Sequence, residues 1–227
     1  NRPRRQSRNH PENRRRRGVY YTPRSLVRFM VRAVDDSLET YFGIEGGLGS
    51  ADCKSEVYGR LGVALPDRLE ERRPFVDVFD PSMGTGVFLA ELASYKTGFS
   101  KQLSGAELSL SARLLAEVQL RLTAPVATRK LLWKNTLGLD AATLGYPTVI
   151  IGNPPYSGVS ANGEFGEMVR PYYSFGGKPI GERKTWLQDD YVKFVRWAQE
   201  QIEASGIGVV ALVTPHGFVD NPTFRGM

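Results

Sequence analysis

The residues Asn153-Pro154-Pro155-Tyr156 follow directly on the apolar run Thr148, Val149, Ile150, Ile151, Gly152. An amide, two prolines and an aromatic ring at the tip of a buried strand suit a flat amine. Such an amine on an aromatic ring is a poor nucleophile, because its nitrogen lone pair is delocalised. The Asn153 side-chain oxygen and the Pro154 carbonyl can both accept its N–H bonds. That favours a pyramidal nitrogen whose lone pair points at an incoming methyl group. Proline has no N–H and so offers only an acceptor. Tyr156 can stack on the ring and hold it, as enzymes acting on extruded bases do. The same four residues also fit a Pro-rich turn that closes a strand, so their neighbours decide.

Upstream, Val76-Asp77-Val78-Phe79-Asp80-Pro81-Ser82-Met83-Gly84-Thr85-Gly86-Val87-Phe88-Leu89 reads as a short apolar strand, an acid, a two-glycine turn and a helix start. Glycines let a ligand approach the backbone closely, and a carboxylate at a strand end can bind an ammonium group. The third glycine of a dinucleotide fingerprint is missing, and no G-x-x-x-x-G-K-[ST] occurs in the chain, which weakens nicotinamide and nucleoside-triphosphate readings. Leu103-Ser104-Gly105-Ala106-Glu107-Leu108 reads as a second strand ending in an acid. A ribose diol is held at such a position, although a lone glutamate there also fits a solvated strand end.

Taken in order, Val19-Tyr20-Tyr21-Thr22-Pro23, Asp80-Pro81-x-x-Gly84-x-Gly86-x-Phe88, Gly105-x-Glu107-Leu108 and Asn153-Pro154-Pro155-Tyr156 form a series. It resembles the amino-methylating DNA methyltransferases, specifically the N6-adenine enzymes of gamma-type order, whose Tyr-Thr-Pro motif precedes the cofactor motif. The segments Trp186 to Phe194 and Asn221 to Met227 are more specifically similar to the methylase part of single-chain type ISP and type IIG restriction-modification enzymes. The resemblance covers residues 18–227. It implies a Rossmann-like α/β fold, S-adenosylmethionine as methyl donor, double-stranded DNA as partner, and further domains of the same parent chain.

The resemblance also implies roles. Thr22 would touch the methionine part of the donor, and Asp80 with the Pro81, Gly84 and Gly86 backbone would line the same end. Glu107, with Leu108 beside it, would bind the ribose hydroxyls. Phe194 would pack near the donor's adenine. The family's next motif has an Asp that accepts from that adenine; the matching stretch here is Trp133-Lys134-Asn135-Thr136-Leu137, with Asn135 in place of the acid. An amide can still accept, and it adds a donor.

Composition fits a soluble intracellular domain. A chain of 227 residues with 41% hydrophobic content can bury one substantial core. No apolar stretch approaches the about 18 to 20 residues of a membrane span, and no signal peptide opens the chain. One cysteine, Cys53, excludes a disulfide framework, and with His10 and His216 it makes no metal-ligand cluster; methyl transfer from a sulfonium needs no metal. Residues 1–17 hold eight arginines against Glu12, which accounts for all of the formal charge of +6 and slightly more. The rest is nearly neutral. This basic tail reads as a disordered linker, with phosphate pairing as the alternative. The chain opens without a Met and reads as a piece of a longer polypeptide, with the target-recognition domain and the last strands of the sheet beyond Met227.

The motifs need elements to hold them. Thr22 suits an N-cap with Pro23 at the first helical position, and Leu26, Phe29, Met30 and Val34 recur at helical spacing. Residues 43–74 read as a loop or short insertion. From Phe75 the pattern predicts a strand, helix 86–96, strand 103–108, helix 109–122, strand 130–135 and strand 148–152. Helix 188–205 and a strand from Ile207 to Val213 follow. Such alternation implies a mostly parallel sheet with helices on both faces and ligands at the carboxyl ends of the strands.

The long stretch Ser157 to Thr185 follows Tyr156 and can cover a flipped base or touch DNA through Arg170, Lys178, Arg183 and Lys184. Glu182-Arg183-Lys184 matches a nuclease E-x-K pattern without a companion Pro-Asp, and is read as chance. His216 reads as structural, and Phe218 as either a wall of the base pocket or a core aromatic. The expected function is adenine-N6 methylation of DNA. The alternatives are methylation of a protein glutamine or an RNA guanine, and a non-catalytic DNA-binding or assembly module.

Overall fold

The computed structural model describes residues 22–67, 69, 71–96, 102–123, 128–156, 158, 160–181 and 184–227. The basic segment 1–17, Val19 to Tyr21, Ser157, Glu182 and Arg183 lie outside the described residues. In chain order the elements are α1 (Arg24–Phe42), α2 (Lys54–Leu61), β1 (Asp77–Asp80), α3 (Val87–Ser94), β2 (Gln102–Ala106), α4 (Leu110–Thr123), β3 (Thr128–Leu132), α5 (Ala141–Leu144), β4 (Val149–Gly152), β5 (Ser174–Phe175), β6 (Lys178–Pro179), α6 (Asp190–Ser205), β7 (Val209–Leu212) and α7 (Gly217–Asp220). They form two compact units, Thr22–Asn153 with Phe194–Val213, and Pro154–Lys193 with Thr214–Met227.

The first unit is an α/β structure around a five-stranded sheet of order β3-β2-β1-β4-β7. Every strand pair in it is parallel. From β1 the chain winds outward to β2 and β3, then returns so that β4 lies on the other side of β1. The order therefore reverses between β1 and β4, and a crevice opens outside the carboxyl ends of strands at such a point.

Alternation along the strands builds a layer on each face. Val78, Val149 and Ile151 join a core with Val27, Val31, Val34 and Leu38 of α1 and Leu89 of α3. Their strand neighbour Phe79 instead meets Trp197 of α6, with ring centroids 5.5 Å apart. The Trp197 indole N–H donates to the Leu139 carbonyl at 2.8 Å, so this large ring is buried with its polar atom satisfied.

Three local expectations are corrected. The N-cap of α1 is Pro23, with no side-chain cap bond, and Thr22 lies before it. Leu26 and Val27 donate to the Pro23 carbonyl instead, and the Thr22 hydroxyl is spent elsewhere. Phe29 is 68% exposed: the buried stripe is Val27, Met30, Val31, Val34 and Leu38, and Phe29 falls outside it. Segment 43–74 is also more than a loop, for it contains α2 and the 3-10 turn Gly47–Gly49. Apolar residues in it, Ile44, Leu48, Val57 and Tyr58, are fully buried, and their burial overrides the glycine and charge content that reads as irregular.

Lys54 explains part of that. It is fully buried, and its ammonium donates to Asp77 Oδ2 at 3.3 Å, the Gly145 carbonyl at 3.1 Å and the Tyr146 carbonyl. Arg73 donates to the same Asp77 oxygen at 2.6 Å. Burial lowers the Lys54 pKa to about 8, against the opposing charge of Asp77. Asp77 opens β1, so this ion cluster sits at the strand end opposite Asp80.

The second unit follows Asn153 in the chain. Val169, Tyr172, Leu187, Tyr191, Val192 and Phe224 form its core, and Tyr156 and Phe218 pack against them. Phe218 is half-buried there. His216 is exposed and pairs with Asp220 at 3.2 Å. The segment after Tyr156 is clamped by the start of α6. Gly158 N–H donates to Asp189 at 2.8 Å, while Ser160 Oγ, Ala161 N and Asn162 Nδ2 donate to Asp190 at 2.7, 3.1 and 2.9 Å. Lys193, fully buried, donates to the Asn162 carbonyl at 2.6 Å. Because the Ala161 amide depends on Asp190, Asp190→Ala should cut its hydrogen-exchange protection about tenfold or more. Unchanged protection would mean that the segment is held by other contacts.

Candidate active site

Asp80 closes β1 and Asn153 follows β4, so parallel pairing of the two strands brings both to the reversal point of the sheet. Nothing in their sequence separation of 73 residues requires this; the pairing Val78↔Val149 and Phe79↔Ile150 does. Between them Gly152 is needed for steric reasons. A Cβ there would lie 2.6 Å from Asp80 Oδ1 and 3.1 Å from Pro81 Cδ. Gly152→Ala should therefore displace Asp80 at a cost of about 1–3 kcal/mol in stability. Chemical denaturation of the full chain measures it, and a loss under about 0.5 kcal/mol would show that the carboxyl moves aside freely.

Asp80 is fully buried. Its Oδ1 accepts from the Ser82 N–H at 3.0 Å, while Oδ2 has no hydrogen-bond partner among the described residues. Burial pushes the carboxyl up to about 8; the Ser82 N–H opposes the rise and the charge of Glu107 adds to it. A cation beside Oδ2 would reverse that penalty, because it favours the ionised form. The buried Ser82 hydroxyl likewise has no partner among the described residues.

The loop after Asp80 is held from several directions. Met83 N–H donates to the Ala106 carbonyl at 3.1 Å, and Thr136 Oγ1 donates to the Pro81 carbonyl at 2.5 Å. Gly84 N–H donates to Glu107 Oε2 at 3.0 Å, and Ser109 N–H to Glu107 Oε1 at 2.7 Å. These bonds fix the Glu107 carboxylate, and each oxygen keeps a lone pair for a diol. Gly84 has φ +54° and open space where a Cβ would stand, whereas a Cβ on Gly86 would come within 2.9 Å of Ala116 Cβ. The two glycines thus serve different ends. Gly84 leaves room over the loop, and Gly86 lets α3 pack against α4.

Asn153 is half-buried. Its Nδ2 donates to Thr22 Oγ1 at 3.0 Å, and its Oδ1 is buried without a partner among the described residues. Asn153, Thr22, Asp80, Pro81, Gly84, Gly86 and Glu107 thus all lie at or beside the carboxyl ends of β1, β2 and β4. The other expected residues are tied in differently. Asn135 accepts from Leu137 N–H at 3.1 Å and caps the 3-10 turn Thr136–Gly138. Leu108 is 61% exposed, and its carbonyl accepts from the Trp133 indole at 2.9 Å. Phe194 is buried on α6, Pro154 is buried and Pro155 half-buried. Thr136, Ser82 and Gly152 carry no motif that marks them in sequence.

No protein-family profile matches the chain, and no curated protein matches it. Solved structures are. A DrdV–DNA complex determined by cryo-EM matches with a TM-score of 0.68 and 26% identity over 95% of this chain and 22% of its own. A modification subunit assigned to a type I restriction enzyme of Vibrio vulnificus YJ016 matches with a TM-score of 0.53 and 19% identity, over 91% of this chain and 36% of its own. The chain therefore spans about a quarter to a third of the length of these two structures, and it shares their fold.

Proposed function

We propose that this chain is the methyltransferase part of a restriction-modification enzyme, transferring a methyl group from S-adenosylmethionine to the N6 amine of a flipped adenine in DNA. One observation carries the reading. Two buried acceptors without partners among the described residues, Asp80 Oδ2 and Asn153 Oδ1, stand at the ends of the two strands that flank the reversal of the sheet. A carboxylate there suits a cationic donor, and an amide oxygen suits a neutral amine. The motif order and the likeness to a DrdV–DNA complex support DNA as the substrate and a larger parent enzyme as the setting.

The residues at the site fit the donor: Asp80 and Ser82 for its charged amino-acid end, open backbone at Gly84, and a fixed Glu107 for its ribose. When bound, the donor supplies an electrophilic methyl on a sulfonium. Asn153 Oδ1 and the Pro154 carbonyl would accept the two amine hydrogens, drawing the nitrogen lone pair out of conjugation and toward the methyl. Tyr156 would hold the base by stacking. Alignment of the amine with the methyl, rather than a strong base, would supply most of the rate. The amine becomes acidic once alkylated, so its surplus proton can leave to solvent.

The test is incubation of the full chain with isotopically labelled S-adenosylmethionine and mixed-sequence DNA, followed by nucleoside analysis. Label in N6-methyladenine is the expected product. Label only in protein glutamine or RNA guanine would replace the substrate assignment, and no label from a chain that binds the donor would favour a non-catalytic module. Arg170 and Lys178 are exposed and remain proposed phosphate contacts.

A further inference from the structure

We infer that Thr22 decides which end of the Asn153 side chain meets the substrate, and so acts in methyl transfer as a positioning residue. The inference rests on the role of Asn153 proposed above. An amide side chain has two nearly isosteric ends with opposite hydrogen-bonding roles. A half turn about its last torsion exchanges an acceptor for a pair of donors. Only the oxygen end can accept the hydrogens of an amine. The nitrogen end would set donor against donor, and the base amine would be left conjugated and unreactive.

The structure shows the productive orientation. Asn153 Nδ2 is 3.0 Å from Thr22 Oγ1 and donates to it, which leaves Oδ1 as an acceptor with no partner among the described residues. Thr22 is 6% exposed, so water competes weakly for its hydroxyl. That hydroxyl takes no part in capping α1, whose N-cap is Pro23. Pro23 itself biases Thr22 toward extended backbone, holding it just ahead of the helix rather than within it.

A hydroxyl can also donate, and a Thr22 proton aimed at Asn153 Oδ1 would stabilise the wrong orientation. Any acceptor that takes that proton removes the ambiguity, because the Thr22 oxygen can then only accept.

Thr22→Val keeps the shape and removes the oxygen; Thr22→Ser keeps the oxygen. At saturating donor and DNA the valine variant should lose about tenfold or more in kcat, the value of roughly one well-placed hydrogen bond, and serine should restore most of it. Side-chain amide NMR of the full chain reads the contact directly, with the Asn153 resonances assigned by their disappearance in Asn153→Ala. Valine should shift the bonded Nδ2 proton toward the position of a solvated amide, and serine should return it. Wild-type kcat in Thr22→Val, or Asn153 resonances that do not respond to it, would overturn the inference. If the unsubstituted chain methylates no DNA, the proposed function falls, while the NMR response still decides whether Thr22 holds the amide.

Discussion

Asn153→Ala should abolish turnover, by about a hundred-fold or more, while donor affinity stays within about threefold of the wild type. The substitution removes the one side-chain acceptor that faces the proposed amine and leaves Asp80, Glu107 and the Gly84 backbone untouched. The bonds from Ser82 to Asp80 and from Gly84 to Glu107 do not pass through Asn153. The two halves of the site should therefore separate cleanly in a calorimetric titration run beside a methylation assay. Equal loss of binding and turnover would refute this division of labour, since it would make Asn153 part of the donor site.

Asp80→Asn should do the reverse and carry a second effect of opposite sign. Donor binding should be lost, because an uncharged amide cannot offset the donor's positive charge, yet the free protein should become more stable near pH 8. The carboxyl is raised from its ordinary value to about 8, chiefly by burial. A group whose pKa is raised in the folded state contributes stability that is fully present below its unfolded pKa. That contribution is lost as pH rises through the folded pKa. Wild-type stability should therefore fall from about pH 4 to pH 8, at up to about 1.4 kcal/mol per pH unit, and asparagine should abolish the fall. Calorimetric melts at pH 5 and pH 8 test it: a gain several-fold larger at pH 8 than at pH 5 is expected, and an equal change at both would dismiss Asp80 as the source. The same linkage makes wild-type donor binding weaken below pH 8, since the ionised carboxylate must be formed first.

Much of the scaffold was legible because apolar runs and turn residues are local signals. The expected strands at 103–108 and 148–152 overlap β2 and β4, helix 109–122 matches α4, and helix 188–205 matches α6 within two residues, as element boundaries generally do. The strand expected at 130–135 begins two residues earlier, at Thr128. Parallel order followed from alternation of strands with helices. The helix and 3-10 turn within segment 43–74 leave no clear apolar period in the sequence. Ile44, Leu48, Lys54 and Tyr58 owe their burial to distant partners: Tyr58 donates to the Ser205 carbonyl at 2.6 Å, and Lys54 reaches Asp77, Gly145 and Tyr146.

The candidate site divides in the same way. The sequence by itself determined which groups exist, an acid after one strand, an acid after the next, and an amide with two prolines after a third, since each is written in a few adjacent residues. Only the tertiary structure decided how they are used. It joined Thr22 to Asn153 across 131 residues, set Glu107 against the Gly84 amide, required Gly152 so that Asp80 could fit, and left Asp80 Oδ2 and Asn153 Oδ1 as acceptors without a partner among the described residues. The reason is physical: residue type and spacing fix local conformation, whereas a hydrogen bond between distant segments exists only once strand pairing has brought their backbones into register.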